Sequence, residues 1–163
     1  MTLNFNIATT LTPEARLAAI GLTLPPPPAP VANFVTWRRA GSLLYLSGQG
    51  PLEANGHLHA GHVGGEVSVE DAYGHARLTG LNLLAVAKDA LGELGRVRHV
   101  VKLLAFVNAV PGFSLHPKVI NGCSDLFVEV FGDTVGRGAR SAIGAGSLPG
   151  NQTVEVEAIL EVD

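Results

Sequence analysis

The stretch GARSAIGAGSLPGNQTVEVEAILEVD (138–163) holds the residues whose types and spacing are best suited to chemistry. Its pattern predicts a hairpin, with Arg140 entering the first strand and Glu155, Glu157 and Glu161 alternating with apolar residues along the second. An arginine can bind a carboxylate through paired hydrogen bonds, and a glutamate can accept a proton from water. Two interpretations stay open: the glutamates form the wet face of a half-covered sheet, or one of them faces Arg140 across a small-molecule pocket.

Composition limits what kind of protein this is. The chain has 163 residues, which predicts a single domain over 1–163, and only 15% of them are charged against 47% apolar. Such a low charged fraction suggests apolar surface that is covered by other subunits. A net charge of −3 argues against nucleic acid as a partner. No apolar run predicts a membrane span, the opening MTLNFNIATTL does not resemble a signal peptide, and Cys123 is the single cysteine; a cytoplasmic location is expected.

Hydrophobic periodicity and breaker residues predict the elements that must position these side chains. Residues 1–30 form an extension made of a short helix, capped by Thr12, and a stiff proline-rich spacer. Two strands follow at 33–40 and 42–48, then a long helix from 68 that ends near Gly92 or Gly95. A strand at 97–110, a second helix at 114–132 and the hairpin at 138–163 complete the chain. This order favours an α+β domain in which a mixed β-sheet carries both long helices on one face.

Four short motifs resemble the Rid/YjgF family of reactive-intermediate deaminases, in its chorismate-mutase-like or "endoribonuclease" branch. They are LYLSGQ (44–49), ARS (139–141), LP (148–149) and VEVEAI (154–159), and the match covers about four-fifths of the chain. The resemblance implies a chorismate-mutase-like fold and a homotrimer with clefts between subunits. It also implies hydrolysis of short-lived 2-imino or enamine acids to 2-keto acids and ammonia, without a metal or organic cofactor.

The same resemblance assigns roles to individual residues. Arg140 falls on the family arginine that binds the substrate carboxylate, and Glu155 on the acidic residue that handles water or the leaving amine. A carboxylate near an arginine should be ionised. Gly48 would let the backbone approach the substrate, Ser47 would add a hydroxyl, and Asn121 would either contact the ligand or cap the second helix.

Two positions depart from the family pattern. Phe34 stands where a tyrosine is usual, and Ala142 stands where many members have a cysteine, so the pocket lacks a hydroxyl and a thiol. Cys123 lies elsewhere, on the second helix, and is interpreted as a small buried hydrophobe. Both departures favour a larger or more apolar substrate than an alanine-sized imine.

Three alternatives compete with this interpretation. His57, His59 and His62 could bind zinc, although loop histidines in solvent are the simpler interpretation of that spacing. The protein could be a non-catalytic trimer that binds a small carboxylate as a sensor or scavenger. Ribonuclease activity is suggested by the family's older label alone, and the negative net charge of the chain argues against it.

Overall fold

The protein is described by a computed structural model over residues 11–163. The segment 1–10, with its predicted lack of a signal peptide, lies outside the described residues. Helix α1 (Pro13–Ala19) begins as expected, because the hydroxyl of Thr12 accepts a hydrogen bond from the Ala15 amide at 3.1 Å. The chain then runs extended through the prolines, between α1 and the first strand.

Both long helices form where periodicity predicts them. Helix α2 (Val69–Leu91) is capped by Ser68 and ends at a glycine with φ 83°, and α3 (His116–Phe131) ends at a glycine with φ 82°. A short helix α4 (Asp133–Gly136) follows directly. Within residues 11–163, none of the helices is long and apolar enough to span a bilayer.

A mixed five-stranded sheet forms the other layer. Its strands are β1 (Trp37–Ala40), β2 (Leu43–Gln49), β3 (Val97–Asn108), β4 (Ala139–Ala145) and β5 (Val154–Val162). Their spatial order is β1-β2-β5-β3-β4, and every neighbouring pair is antiparallel except β3 with β4, which is parallel. The predicted α+β class and mixed sheet are confirmed.

The predicted carboxyl-terminal hairpin is wrong, because β4 and β5 do not pair. Strand β3 lies between them, and its Leu103 is the register partner of both Arg140 and Ala158. Helix α3 connects β3 to β4, and a crossover of that length returns the chain in the same direction as it left. The turn after β4, which includes a 3₁₀ segment over Pro149–Asn151, then carries the chain past β3 to the centre of the sheet.

The core lies between the sheet and the helices, which cover one face. Alternate residues of β5, from Val154 to Val162, are buried there with the inward residues of α2 and α3. The intervening residues of β5 point to the other side, which we call the open face. Tyr45, Val101 and Ile143 are among the exposed large apolar residues, at 42%, 40% and 47% exposure. The open face is therefore partly apolar.

Candidate active site

Arg140 lies on the helix-covered side of the edge strand β4, beneath α3. Its Nη1 donates to Asn121 Oδ1 at 2.8 Å and to Ser124 Oγ at 3.0 Å. Both acceptors are neutral, and within residues 11–163 we find no partner for Nε or Nη2 and no carboxylate at ion-pair distance. The guanidinium is thus oriented by neutral groups and keeps paired donors free for an anion.

The space around this guanidinium is a pocket of about 490 Å³, which we call the arginine pocket. Two carboxylates line it, but each has a partner on α2: Tyr73 donates to Asp125 at 2.9 Å, and Arg77 forms an ion pair with Glu129 at 2.6 Å. Neither carboxylate forms an ion pair with Arg140, so its positive charge has no direct counter-charge among the described residues, although Asp125 keeps its own charge in the pocket. The arrangement suits a small carboxylate.

Glu155 lies in a different pocket, of about 590 Å³, which we call the glutamate pocket. Gln152 Nε2 donates to Glu155 Oε2 at 2.7 Å and holds the half-buried carboxyl group. The backbone of Gly48 lies against that group so closely that an added Cβ would be 3.0 Å from Glu155 Cδ. Glycine is therefore needed beside this carboxylate, since any side chain would displace it.

Burial raises the pKa of the Glu155 carboxyl group above its ordinary value. The charge of Glu157 acts in the same direction, and the hydrogen bond from Gln152 opposes it. The expectation that a neighbouring arginine keeps Glu155 ionised is not met within one chain. A carboxyl group whose pKa is shifted towards neutrality is better suited to exchange a proton with a substrate.

The structure does not bring Arg140 and Glu155 together in a single chain. Arg140 pairs with Leu103 and shares its helix-covered face, whereas Glu155 pairs with Phe106 on the open face. The two side chains line separate pockets. Within one subunit, Arg140 and Glu155 therefore do not face each other across a small-molecule pocket.

The other two glutamates of β5 behave as ordinary face residues. Glu157 is exposed, and Glu161 Oε2 lies 2.7 Å from His99 Nδ1 on the neighbouring strand. Neither lines the arginine pocket or the glutamate pocket. The solvated or ion-paired interpretation fits these two residues.

The remaining site candidates separate between the two pockets. Phe34 lines the glutamate pocket, and Asn121 lines the arginine pocket from the sixth position of α3, too far along the helix to cap it. The Ser47 hydroxyl donates to the Val35 carbonyl at 2.7 Å and fixes the neighbouring segment, without lining either pocket. Ala142 is half-buried against the core and lines neither pocket.

Sequence reasoning missed Ser124, the second acceptor of Arg140. A signal existed, because Ser124 follows Asn121 by three residues and such residues share one face of a helix. It also missed Gln152, which holds Glu155. No spacing rule pointed to Gln152, because its position depends on the irregular turn before β5.

The three loop histidines do not converge on a common point. His62 contacts Glu66 at 3.1 Å, whereas His59 contacts Glu53 at 2.8 Å and stacks on His75 of α2 at 4.2 Å. Over residues 11–163, no group of three or more potential ligands is placed to hold a metal ion. The zinc hypothesis has no support here, and His59 is a half-buried stacked residue rather than a solvated one.

The structure combines a two-layer α+β fold with a glycine-lined glutamate pocket and a separate arginine pocket. The family model described as "YjgF/chorismate mutase-like, putative endoribonuclease" matches residues 14–162. The chain belongs to this YjgF/chorismate mutase-like family.

Known proteins similar to the chain come from distant organisms. Protein TCP17 of Trypanosoma cruzi is 40% identical over 149 residues, covering 91% of this chain and 93% of that protein. A solved structure of unknown function from Agrobacterium tumefaciens is 44% identical with a TM-score of 0.85, over 93% of this chain and 94% of that one. A solved structure of a "putative endoribonuclease" from Shewanella oneidensis is 36% identical with a TM-score of 0.90, over 93% of this chain and 100% of that one.

Proposed function

We propose that this protein hydrolyses 2-imino and enamine acids to 2-keto acids and ammonia, in clefts between the subunits of a homotrimer. The observation that carries the proposal is the placement of two complementary groups in two separate pockets. An arginine without a counter-charge lies in one open pocket, and a half-buried carboxyl group with a raised pKa lies in another. A 2-imino acid needs both groups, one for its carboxylate and one for the protons of water and ammonia.

A second copy of the chain can unite the two halves. In a cyclic trimer each contact joins two different surfaces, so the arginine pocket of one subunit can face the glutamate pocket of the next. The exposed apolar residues of the open face, such as Ile143 at 47% exposure, give such subunits a surface to bury. The low charged fraction of 15% supports the same assembly.

In this mechanism the free donors of Arg140 bind the substrate carboxylate, while Asn121 and Ser124 hold the guanidinium in place. Fixing the carboxylate fixes the adjacent C2 atom and its C=N bond. An enamine first takes a proton at C3 and gives up one from its nitrogen, which converts it to the imine. All later steps occur at C2 and at the nitrogen.

Glu155 performs the proton transfers. The oxygen of water bonds to C2, the π pair of the C=N bond moves to nitrogen, and the carboxylate of Glu155 takes a proton from the water. The protonated Glu155 then donates to the nitrogen. Glu155 next takes the proton of the carbinolamine hydroxyl and delivers it to the nitrogen, so that the C=O bond forms, the C–N bond breaks and ammonia leaves. Burial raises the pKa of the Glu155 carboxyl group above its ordinary value, which favours its role as a proton carrier.

A non-catalytic carboxylate binder is the second candidate. It is favoured by one observation, since the arginine pocket is complete within one chain and does not need Glu155. A ribonuclease is less well supported, because the basic residues Arg96 and Arg98 at one end of the sheet both form ion pairs with Asp163. Those charges are not free for a phosphate backbone.

The decisive test is a panel of imines made in situ by oxidising single amino acids, with imine loss followed with and without the protein. We expect faster loss for at least part of the panel and 2-keto acid as the product. If the folded protein does not accelerate the loss of any imine but binds 2-keto acids, its function is non-catalytic carboxylate binding. Matching loss with a heat-inactivated sample would exclude catalysis.

A further inference from the structure

The glutamate pocket is lined by a few polar groups, which we call its polar end, and by a larger set of apolar side chains, which we call its apolar end. Glu155, Gln152 and Gln49 supply the polar end. The apolar side chains that line the rest are Pro28, Ala29, Val31, Ala32, Phe34, Leu52, Leu58 and Pro149. A molecule that fits both ends carries a polar reacting group beside a sizeable apolar substituent.

The outer side of the apolar end is residues 28–34, which we call the wall segment. The sequence predicts a spacer over the prolines, but Pro28 lines the pocket together with Ala29, Val31, Ala32 and Phe34. Leu22 and Leu24 pack on the core before it, and after it Ser47 donates to Val35 from its hydroxyl at 2.7 Å. The prolines restrict the chain between these two attachments, so the wall segment is held in place before a ligand arrives.

Two apolar side chains of the wall segment are poorly covered by the protein itself. Val31 is 94% exposed and Phe34 is 43% exposed, although both line the pocket. An apolar substituent that enters the pocket would contact them and remove part of that surface from water. Phe34 also lacks the hydroxyl that a tyrosine would place there, so its side chain has no group that could form a hydrogen bond with the ligand.

We propose that the wall segment makes this protein selective for 2-imino acids with a branched or aromatic apolar side chain, which enters the apolar end while the imine faces Glu155. This inference rests on the proposed function and names its substrate class. The pocket of about 590 Å³ is in the usual range for small ligands, roughly 300–1,000 Å³. An aliphatic cavity of about 150 Å³ already holds benzene. The methyl group of an alanine-derived imine leaves most of the apolar end unfilled.

The test measures equilibrium binding of 2-keto acids, which are the stable products, by isothermal calorimetry. The probes are pyruvate, 4-methyl-2-oxopentanoate and 2-oxoglutarate. Each additional buried carbon contributes roughly a fourfold gain, so 4-methyl-2-oxopentanoate should bind at least about 10-fold more tightly than pyruvate. 2-Oxoglutarate should bind no more tightly than pyruvate, because its second carboxylate would lose water at the apolar end of the pocket.

Variants of the wall segment provide the specificity control. Phe34→Ser and Val31→Ser should each reduce the preference for 4-methyl-2-oxopentanoate over pyruvate at least threefold, and as exposed positions both tolerate a polar residue. Val35→Ser is the matched control, since Val35 is 49% exposed beside Phe34 but does not line the pocket. It should keep the parent preference.

The outcomes separate this inference from the proposed function. Equal or tighter binding of pyruvate, no measurable binding of 4-methyl-2-oxopentanoate, or an unchanged preference in both wall variants overturns the inference. Imines derived from leucine and alanine are assayed for turnover in parallel. Absence of turnover with the binding preference intact overturns the deaminase alone. Turnover without any preference overturns the substrate class alone.

Discussion

Arg140 and Glu155 lie on opposite faces of one β-sheet, and strand β3 separates the two strands that carry them. By register they are two strand spacings, or about 10 Å, apart across the sheet and three residues apart along it. One subunit therefore cannot place both side chains on the same small substrate. If both residues act on one substrate, catalysis therefore depends on the oligomeric state of the protein.

Subunit mixing tests this relationship directly. Arg140→Ala and Glu155→Gln should each be inactive alone, but an equal mixture refolded or exchanged into mixed trimers should regain about a quarter of the parent activity. That fraction is the chance that a cleft receives an intact arginine from one subunit and an intact glutamate from the next. A stable monomer in light scattering, or a mixture that stays inactive after proven exchange, would contradict the shared cleft.

The carboxylate anchor is tested by Arg140→Lys. Lysine keeps the charge but loses the planar fork, so binding of a 2-keto acid should weaken about 10-fold or more while circular dichroism stays the same. Arg137→Lys is the matched control, because Arg137 lines the same pocket and is an exposed partner of Asp133. Equal affinities for the two variants would remove Arg140 from the anchor role.

Glu155→Gln should lower turnover by about 10²-fold or more, because glutamine cannot take a proton from water. The same change should raise the melting temperature at pH 7. Burial raises the pKa of Glu155 in the folded state, so its stabilising contribution exists below the ordinary pKa of 4.5 and is lost as pH rises through the higher folded value. The gain should disappear near pH 4.

Glu161→Gln is the control for both measurements, since Glu161 contacts His99 and lines neither pocket. It should leave turnover close to that of the parent protein. If Glu155→Gln hydrolyses the best imine as fast as this control, the glutamates of β5 are simply face residues.

Gly48→Ala tests the close approach of backbone and carboxylate. The added Cβ would meet the Glu155 side chain and push it from its position, and a displacement near 1 Å can cost about 10²-fold in rate. Gly146→Ala is a suitable control, because the space around Gly146 is open and its φ is not positive. Circular dichroism and light scattering should show both variants folded and assembled as the parent. Normal turnover in Gly48→Ala would show that Glu155 needs no such position.

The stacked pair of His59 and His75 predicts a loss of stability in mild acid. Burial lowers the pKa of His75, the nearby His59 and, more weakly, His57 lower it further, and only Asp71 acts against them. With a depressed folded pKa, the stabilising contribution of neutral His75 is present above 6.5 and is lost as pH falls through the folded value. The melting temperature should therefore drop between pH 7.5 and pH 5.5.

His75→Gln should flatten that pH dependence, because no buried imidazole then has to take a charge. His62→Gln serves as the control, since the His62 ring contacts the exposed Glu66 of its own loop. It should follow the parent curve. Parallel curves for the parent and His75→Gln would assign the pH dependence to other groups.

Local sequence signals were sufficient for the helices and for the two faces of β5. Ser68 and the glycines that end α2 and α3 act through hydrogen bonds and φ values within a few residues. The alternation in β5 predicts which residues are buried, because successive side chains of any strand point to opposite faces. These features depend on near neighbours in the chain and could be inferred without a structure.

Strand pairing and the composition of each pocket depend on contacts between distant segments. The alternation of buried and exposed residues in a strand is the same whichever strand lies beside it. The pairing of β4 with β3, and the position of β5 on the other side of β3, therefore became clear only from the structure. The motif match placed Arg140 and Glu155 in one site, but the sheet separates them because β3 occupies the space between. The proline-rich spacer becomes a pocket wall only because Ser47 attaches Val35 to β2. Such contacts form only when distant segments of the chain pack together, so a local sequence pattern does not predict them.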